Sequence, residues 1–194
     1  MECLLNHDGE LYLTAKFIAR SEAELLYQQL RSDLQWRQEE ILVYGRPVRV
    51  PRLVAWYGDP DAVYTYSGVA HAPLPWLTPL LEVKQRIEEA VPHCFNSVLA
   101  NFYRDGNDSV GWHADKEHEL GRNPFIASVS LGEERAFRIR HNKTGQTLDF
   151  VLPHGSLLCM GGAFQSHWRH CLPKTRKVKQ GRINLTYRRV FPTV

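Results

Sequence analysis

The stretch Arg182-Ile183-Asn184-Leu185-Thr186-Tyr187-Arg188 alternates polar and apolar side chains along its whole length. Residues two apart on a β-strand point to the same face, so this pattern predicts a strand with one polar and one largely apolar face. On an ordinary antiparallel strand the polar face would meet solvent. The other interpretation is an anion site, because the guanidinium groups of Arg182 and Arg188 form charged forks that match carboxylates.

Short apolar or alternating runs recur through the second half of the chain, and turn residues separate them. Short strands in this number and spacing predict a barrel or a jelly roll. The runs are 96–103, 110–115, 125–131, 135–141, 146–152, 156–160, 167–172 and 182–190.

Two helices are expected before these strands. A capping box at 21–24, with Ser21 as the N-cap, predicts a helix over about 22–34. Thr78-Pro79 begins a second helix with proline at the first helical position, and Pro92 would stop it at about residue 91. The chain therefore places its helices first and its strands later.

Length and composition favour one soluble domain. The chain has 194 residues, of which 43% are hydrophobic and 23% are charged, and no run is long enough to span a membrane. The first residues lack the basic and apolar regions of a secretory signal, and the four cysteines form no C-x-x-C motif. We expect a cytoplasmic protein, or a nuclear one if the source is eukaryotic, with reduced thiols and no obligate protein partner.

Positive charge is concentrated at the end of the chain, although the net charge is only +3. Every Asp and Glu lies at or before Asp149. A basic region of this kind suits a nucleic-acid backbone, and the rival interpretation is a solvated basic loop. The basic residues after Asp149 are Arg169, Lys174, Arg176, Lys177, Lys179, Arg182, Arg188 and Arg189.

A candidate metal site is formed by His113-Ala114-Asp115 together with a distant histidine, His170. If 110–115 is a strand, His113 and Asp115 point to the same face. Two histidines and one carboxylate can occupy one face of an octahedral iron ion and leave the other positions open. His167 is a competitor for His170, but residues three apart on a strand face opposite ways, so we expect one of them at most to point inward.

In this order, the motifs resemble the AlkB-type Fe(II)/2-oxoglutarate-dependent dioxygenases, most of all the DNA-repair branch. The resemblance runs from about 41 to 191, and the family spacing favours His170 over His167. It implies an α+β, mainly β fold: a double-stranded β-helix (jelly roll) core over about 93–194, with N-terminal helices and a nucleotide-recognition lid over about 1–92. The blocks that carry it are 50–52, 64–68, 101–106, 111–115, 126–132, 154–158 and 182–188.

The resemblance also implies the cofactors and their ligands. Iron would bind His113, Asp115 and His170, and the co-substrates would be 2-oxoglutarate and dioxygen. Arg182 and Arg188 would hold the two carboxylates of 2-oxoglutarate, in an order that the sequence leaves open. The remaining implied co-substrate contacts are Asn101, Tyr103, Asn184 and Thr186.

Substrate contacts follow from the same resemblance. Tyr66 would stack on a flipped base with His113 on its other side, and Glu117 would lie near the base edge. The family often has a second acidic residue after the metal aspartate, where this chain has Lys116, so the base preference is open. The rival interpretation of Tyr66 is a core aromatic.

A hairpin is expected at 41–47, an apolar run that ends in glycine and proline. In the DNA-repair branch, such a hairpin carries side chains that wedge into the gap left by a flipped base. Val43 and Tyr44, followed by Gly45, fit this role, and a buried hairpin edge is the alternative. Arg52 would lie near the entrance, where it gates the site or contacts phosphate.

The resemblance thus implies an oxidative demethylase that repairs N-alkylated bases such as 1-methyladenine and 3-methylcytosine in DNA, releasing formaldehyde and succinate. Its partner would be alkylated DNA. Three alternatives remain: an enzyme of the same type that acts on RNA or tRNA, a 2-oxoglutarate hydroxylase of protein or small molecules, and a non-catalytic nucleic-acid-binding module. The complete set of metal and co-substrate residues disfavours the last.

Overall fold

The computed structural model describes residues 1–43, 45–66, 69–177 and 180–191, with the backbone alone at 41–43, 64–66 and 69–71. The strands are β1 (Glu2–Leu5), β2 (Glu10–Thr14), β3 (Glu40–Val43), β4 (Arg46–Arg49), β5 (Leu53–Gly58), β6 (Tyr64–Tyr66), β7 (Val69–His71), β8 (Ser97–Tyr103), β9 (Val110–His113), β10 (Ile126–Gly132), β11 (Arg135–His141), β12 (Thr147–Leu152), β13 (Ser156–Gly161), β14 (Trp168–Leu172) and β15 (Arg182–Arg188). The helices are α1 (Arg20–Asp33), α2 (Thr78–Ala90) and the short α3 (Phe164–His167), with a 3-10 turn at His118–Leu120.

Two antiparallel sheets form the body of the protein, which confirms the predicted mainly β class. The larger has the order β1-β2-β13-β10-β15-β8-β5, and the smaller has the order β12-β11-β14-β9. β10, β13 and β15 lie inside the larger sheet and are buried almost throughout. The alternating strand quoted above is therefore a central strand, not a solvated one.

Three strands from the first part of the chain complete the larger sheet. β1 and β2 extend one side through pairing of β2 with β13, and β5 forms the opposite edge by pairing with β8. The region that was expected to hold helices and the lid thus also supplies strands to the sheet. The apolar run of β5 and the alternation of β2 are local strand signals, whereas their place in the sheet depends on partners that lie far away in sequence.

Both long helices pack through one face, at nearly the predicted positions. α1 buries Ala23, Tyr27 and Leu30, while α2 buries Leu80 and Ile87 among others. Burial of such side chains from water is the main force that holds amphipathic helices against a sheet.

The predicted N-cap of the first helix is wrong. Ser21 lies inside α1, which begins at Arg20 after Ala19 and has no side-chain cap. The chain enters the helix from Ile18, which is buried and donates its backbone N–H to Gly155 O at 2.9 Å. This tertiary anchor, with Ala23 packed in the core, sets the start of the helix earlier than the capping box indicates.

Two hairpins stand apart from the main sheets. β3 and β4 pair as the predicted hairpin, and Gly45 between them has a φ of 76°, a left-handed conformation that glycine adopts without strain. All residues of β4 are exposed. β6 and β7 form the second hairpin. Among the described residues, no helix has the length and apolar character needed to cross a bilayer.

Candidate metal and co-substrate site

His113, Asp115 and His170 come together as predicted, with their ligand atoms within 4.8 Å of one another. His113 ends β9 and is the register partner of His170 on β14, so sheet pairing places the two imidazoles side by side. The strand stops at His113, and the prediction that 110–115 is one strand is therefore wrong for Asp115. The Asp115 backbone N–H instead donates to Gln165 Oε1 at 2.9 Å, which holds the carboxylate beyond the strand end.

Both imidazoles can offer a lone pair to a cation. His113 Nδ1 lies 2.8 Å from Gly111 O, a contact that requires a proton on Nδ1 and leaves Nε2 free. Burial, with the neighbouring His113, lowers the pKa of His170 to about 3, so this ring is neutral at pH 7. His170 Nε2 lies 3.7 Å from Asp115 Oδ2.

The carboxylate of Asp115 is ionised although it is only 3% exposed. Burial raises its pKa, but the charge of Arg188, with His170 and His113, outweighs burial and holds the pKa below its usual value. Arg188 donates directly to Asp115 Oδ1. One carboxylate with two imidazoles is the ligand set that divalent iron takes in oxygenases.

Arg182 is the clearest candidate for an anion-binding residue. Its side chain is 1% exposed, and Nη2 donates to Ser130 Oγ at 2.8 Å and to Asn184 Oδ1 at 2.9 Å. Nε and Nη1 are buried without a partner among the described residues, as is Nε of Arg188. Buried donors of this kind need an acceptor, and a carboxylate supplies one for each.

The charge of Arg182 survives its burial. Burial lowers the pKa of the guanidinium to about 10, so it remains protonated at pH 7. The ring of Tyr103 lies below it, with the guanidinium carbon 5.4 Å from the ring centre. Contact with an aromatic face partly offsets the loss of water around a cation.

A buried polar surface runs between the two arginines along β15. Asn184 and Thr186 are buried, and Asn184 Nδ2 donates to Thr186 Oγ1 at 2.7 Å. Asn101 on β8 is the register partner of Asn184, and Arg52 Nε donates to Asn101 Oδ1 at 2.7 Å. The polar face of the arginine strand therefore lines an interior site, and the solvent-facing interpretation is excluded.

Three residues of this site were missed by the sequence analysis. Ser128 and Ser130 on β10 face the same surface, where Ser128 Oγ donates to Asn184 Oδ1 at 3.0 Å. Their two-residue spacing within 126–132 is a signal that could have found them. Gln165, the acceptor for Asp115, carries no comparable signal because its position depends on the packing of α3.

His167 lies away from the first cluster, as expected. It is the last residue of α3, and its ligand atom belongs to a different group with Asp8 and His141. The prediction placed His167 at the start of a strand, but the structure places it at the end of α3 and begins β14 at Trp168. The helix therefore directs His167 away from His170.

The predicted nucleic-acid contacts are described only in part. Tyr44 lies outside the described residues, as do the side chains of Val43 and Tyr66. Glu117 is half-buried just after Asp115, and its Oε2 is buried without a partner in the described part of the chain. Lys174, Arg176 and Lys177 are exposed in the segment after β14 and leave their charges open to an anionic partner.

The chain is similar to a known enzyme family over most of its length. A family model described as the 2OG-Fe(II) oxygenase superfamily matches residues 10–188. The mouse protein (Mus musculus) named alpha-ketoglutarate-dependent dioxygenase alkB homolog 3 is 42% identical over 186 residues, which cover 91% of this chain and 64% of that protein. The human protein (Homo sapiens) named DNA oxidative demethylase ALKBH2 is 36% identical over 185 residues, covering 90% of this chain and 71% of that protein.

A solved structure shows the same fold. The structure of OsALKBH1 aligns with a TM-score of 0.64 and 16% sequence identity, and the alignment covers 97% of this chain and 100% of that one. At this identity the likeness concerns the fold alone. It agrees with the predicted jelly-roll core.

Proposed function

The chain belongs to the 2OG-Fe(II) oxygenase superfamily, as a member of its AlkB type, and on this premise we propose that it is an oxidative demethylase of nucleic-acid bases. The predicted set of Fe(II), 2-oxoglutarate and dioxygen is confirmed at the level of the family. The substrate that we propose is DNA carrying 1-methyladenine or 3-methylcytosine, and the products are the repaired base, formaldehyde, succinate and carbon dioxide.

One observation carries the proposal. A metal-binding cluster and an arginine with free buried donors, Arg182, lie along one enclosed polar surface. A non-catalytic binding module has no use for two unpartnered guanidinium nitrogens in its interior, because each buried donor costs free energy when it is left without an acceptor. Here they are explained if a dicarboxylate completes the site.

Residues of the chain hold each component. His113, Asp115 and His170 would bind iron, while Arg182 and Arg188 would hold the carboxylates of 2-oxoglutarate. Once bound, iron with dioxygen and 2-oxoglutarate supplies the oxidising power that hydroxylates an N-methyl group. The enclosed walls around Asn184 and Thr186 keep water from this chemistry and fix the co-substrate in one orientation.

The base must leave the duplex to reach this interior, since a stacked base cannot approach a buried metal. Tyr66 and His113 are the proposed stacking partners, and Glu117 is the proposed contact at the base edge. Support comes from the unpartnered Oε2 of Glu117, which requires a donor such as an exocyclic amine. The exposed basic segment after β14 would contact the phosphate backbone.

The proposal is tested by mass spectrometry of methylated oligonucleotides after aerobic incubation with Fe(II) and 2-oxoglutarate. We expect loss of the methyl mass from 1-methyladenine or 3-methylcytosine in DNA, together with formaldehyde and succinate, and no loss with Asp115→Asn. Faster loss from RNA would transfer the proposal to RNA. Succinate release with every methylated base intact, in DNA and RNA, would indicate a hydroxylase of protein or small molecules.

The β3–β4 hairpin offers a test of duplex recognition. Since β4 is fully exposed, we propose that Val43 and Tyr44 fill the gap that a flipped base leaves. Replacing both with Ala should slow repair of duplex DNA much more than repair of a single strand, because only the duplex must be unstacked. Equal loss on both substrates, with a lower melting temperature, would mean that the hairpin only packs.

A further inference from the structure

A second group of metal-binding side chains lies outside the site described above. Asp8, His141 and His167 bring their ligand atoms within 4.8 Å of one another. They come from three separate segments: the β1–β2 turn, the end of β11 and the end of α3. None of them contributes to the proposed reaction.

The backbone holds these three segments firmly together. At Gly9, a Cβ atom would lie 2.4 Å from Phe164 Cα, so the β1–β2 turn is pressed onto the start of α3. The Asn142 N–H donates to His167 O at 2.8 Å and joins the turn after β11 to the end of α3. The group is therefore preorganised, which lowers the entropic cost of binding an ion.

His141 is the buried member of the group. Its side chain is 3% exposed, and its Nε2 has no hydrogen bond within the described residues, although Asp8 Oδ2 is 3.2 Å away. The ring of Trp168, 4.8 Å away between ring centres at 65°, packs against the imidazole and limits its movement. A buried nitrogen aimed at an exposed carboxylate is suited to a shared ligand.

The other nitrogen of His141 can take the proton that metal binding displaces. Without a metal, the Thr144 N–H donates to Nδ1 at 3.1 Å, which places the ring proton on Nε2, facing Asp8. Thr144 Oγ1 also lies 3.0 Å from Nδ1. When Nε2 binds an ion, the ring proton moves to Nδ1, which then gives up the Thr144 N–H and donates to Thr144 Oγ1 instead.

We propose that Asp8, His141 and His167 form a second divalent-cation site, of the class that zinc occupies. Imidazole and carboxylate suit zinc, whose tetrahedral ligands lie about 3.4 Å from one another for bonds of about 2.1 Å. The 3.2 Å between His141 Nε2 and Asp8 Oδ2 already matches one such edge. Water, or the neighbouring exposed His7, would complete the shell.

The ion would act as a clamp on α3. This helix also carries Gln165, which holds the Asp115 backbone in the iron site. A cation at its end would fix the β1–β2 turn, the turn after β11 and α3 as one unit. The proposed site does not depend on the nucleic-acid substrate, since it uses residues that are separate from the reaction.

Zinc binding to the metal-free protein tests this proposal. After chelator treatment, we expect two zinc ions per wild-type chain, counted by elemental analysis after gel filtration, because zinc also fits the first cluster. The double variant Asp8→Asn/His167→Asn should bind one, and it changes only exposed ligands, so the fold is preserved. Asn also tolerates the positive φ of 51° at Asp8. The matched control His118→Asn, at an exposed histidine outside both groups, should still bind two.

A second background separates the two sites. In His170→Ala, which lacks a ligand of the first cluster, we expect one zinc ion and a rise in melting temperature on adding zinc. Adding Asp8→Asn/His167→Asn to this variant should abolish the bound zinc ion and the rise in melting temperature. Loss of all zinc in His170→Ala, or a second ion that survives the double variant, would overturn the proposal. Equal loss in His118→Asn would also overturn it.

Discussion

Two clusters of the same composition, two histidines and one aspartate, differ in their surroundings. In the first, Asp115 is buried and paired with Arg188, and Arg182 on the same strand keeps free donors. In the second, the Asp8 side chain is 47% exposed and faces His141. The comparison teaches that two clusters with the same ligand set can differ in their neighbouring charges, and only the first has buried cationic donors beside it.

The short helix α3 connects the two clusters. Gln165 accepts from Asp115 of the first cluster, while His167 is a member of the second. Between them, Ser166 O accepts from Asn142 Nδ2 at 3.1 Å. Substitutions of Gln165 and His167 can therefore show which of the two clusters depends on each residue.

The largest effect is expected when His170 is replaced with Ala, and the matched control is the same replacement of His167. His170→Ala should abolish succinate formation and weaken Fe(II) binding by more than the roughly 100-fold that is typical of losing an outer-shell partner. His167→Ala should keep both near the wild-type level. Fe(II) titration would measure iron binding, and a succinate assay would measure turnover. Loss of iron in His167→Ala, with retention in His170→Ala, would reverse the assignment.

A smaller but still large effect is expected from Arg182→Ala. Removing a partner from a buried charged contact costs about 2–5 kcal/mol, which corresponds to a rise of about 30-fold or more in the 2-oxoglutarate requirement. Arg138→Ala is the control, because Arg138 pairs with Asp149 at 3.0 Å on the half-exposed surface. Succinate production at limiting 2-oxoglutarate is the measurement. If it is unchanged in Arg182→Ala, the arginine does not hold the co-substrate.

Gln165→Leu should have an intermediate effect, which we expect on the Fe(II) requirement. It leaves the Asp115 N–H without an acceptor, and loss of an outer-shell contact raises the metal requirement by about 10- to 100-fold. The 2-oxoglutarate requirement at saturating iron should stay constant. Gln85→Leu, on the exposed side of α2, is the control for the substitution itself. A general loss of stability without a change in the iron requirement would show that Gln165 acts only in packing.

The smallest effect is expected at the second cluster in the absence of metal. Asp8→Asn should lower the free energy of unfolding by less than about 1 kcal/mol, since the Asp8 carboxylate is half-exposed and a contact of this kind contributes little. Asp108→Asn should cost about 1–3 kcal/mol, because buried Asp108 accepts from the backbone N–H and the guanidinium of Arg104. Urea denaturation in the presence of a chelator would compare the free energies of unfolding of the two variants. A larger loss at Asp8 would mean that the second cluster stabilises the fold without an ion.

The strands of the second half were predictable because their signals are local. Alternation over 182–188 reports directly on backbone geometry, and β15 follows it. The strands β1, β2 and β5 were not predicted, although β5 is an apolar run and β2 alternates. Their place in the larger sheet depends on pairing with partners that are distant in sequence. Ser21 failed as an N-cap for a related reason, since the anchored Ile18 determines where the helix begins.

By itself, the sequence determined which chemical groups are available: the H-x-D motif, the arginine strand and the order that identifies the family. Tertiary structure decided which groups meet. It placed His170 opposite His113, buried Arg182 with free donors, and brought Asp8 beside His141 and His167. The physical reason is that residue type and spacing are properties of the local chain, whereas burial and proximity depend on the packing of segments that are remote in sequence.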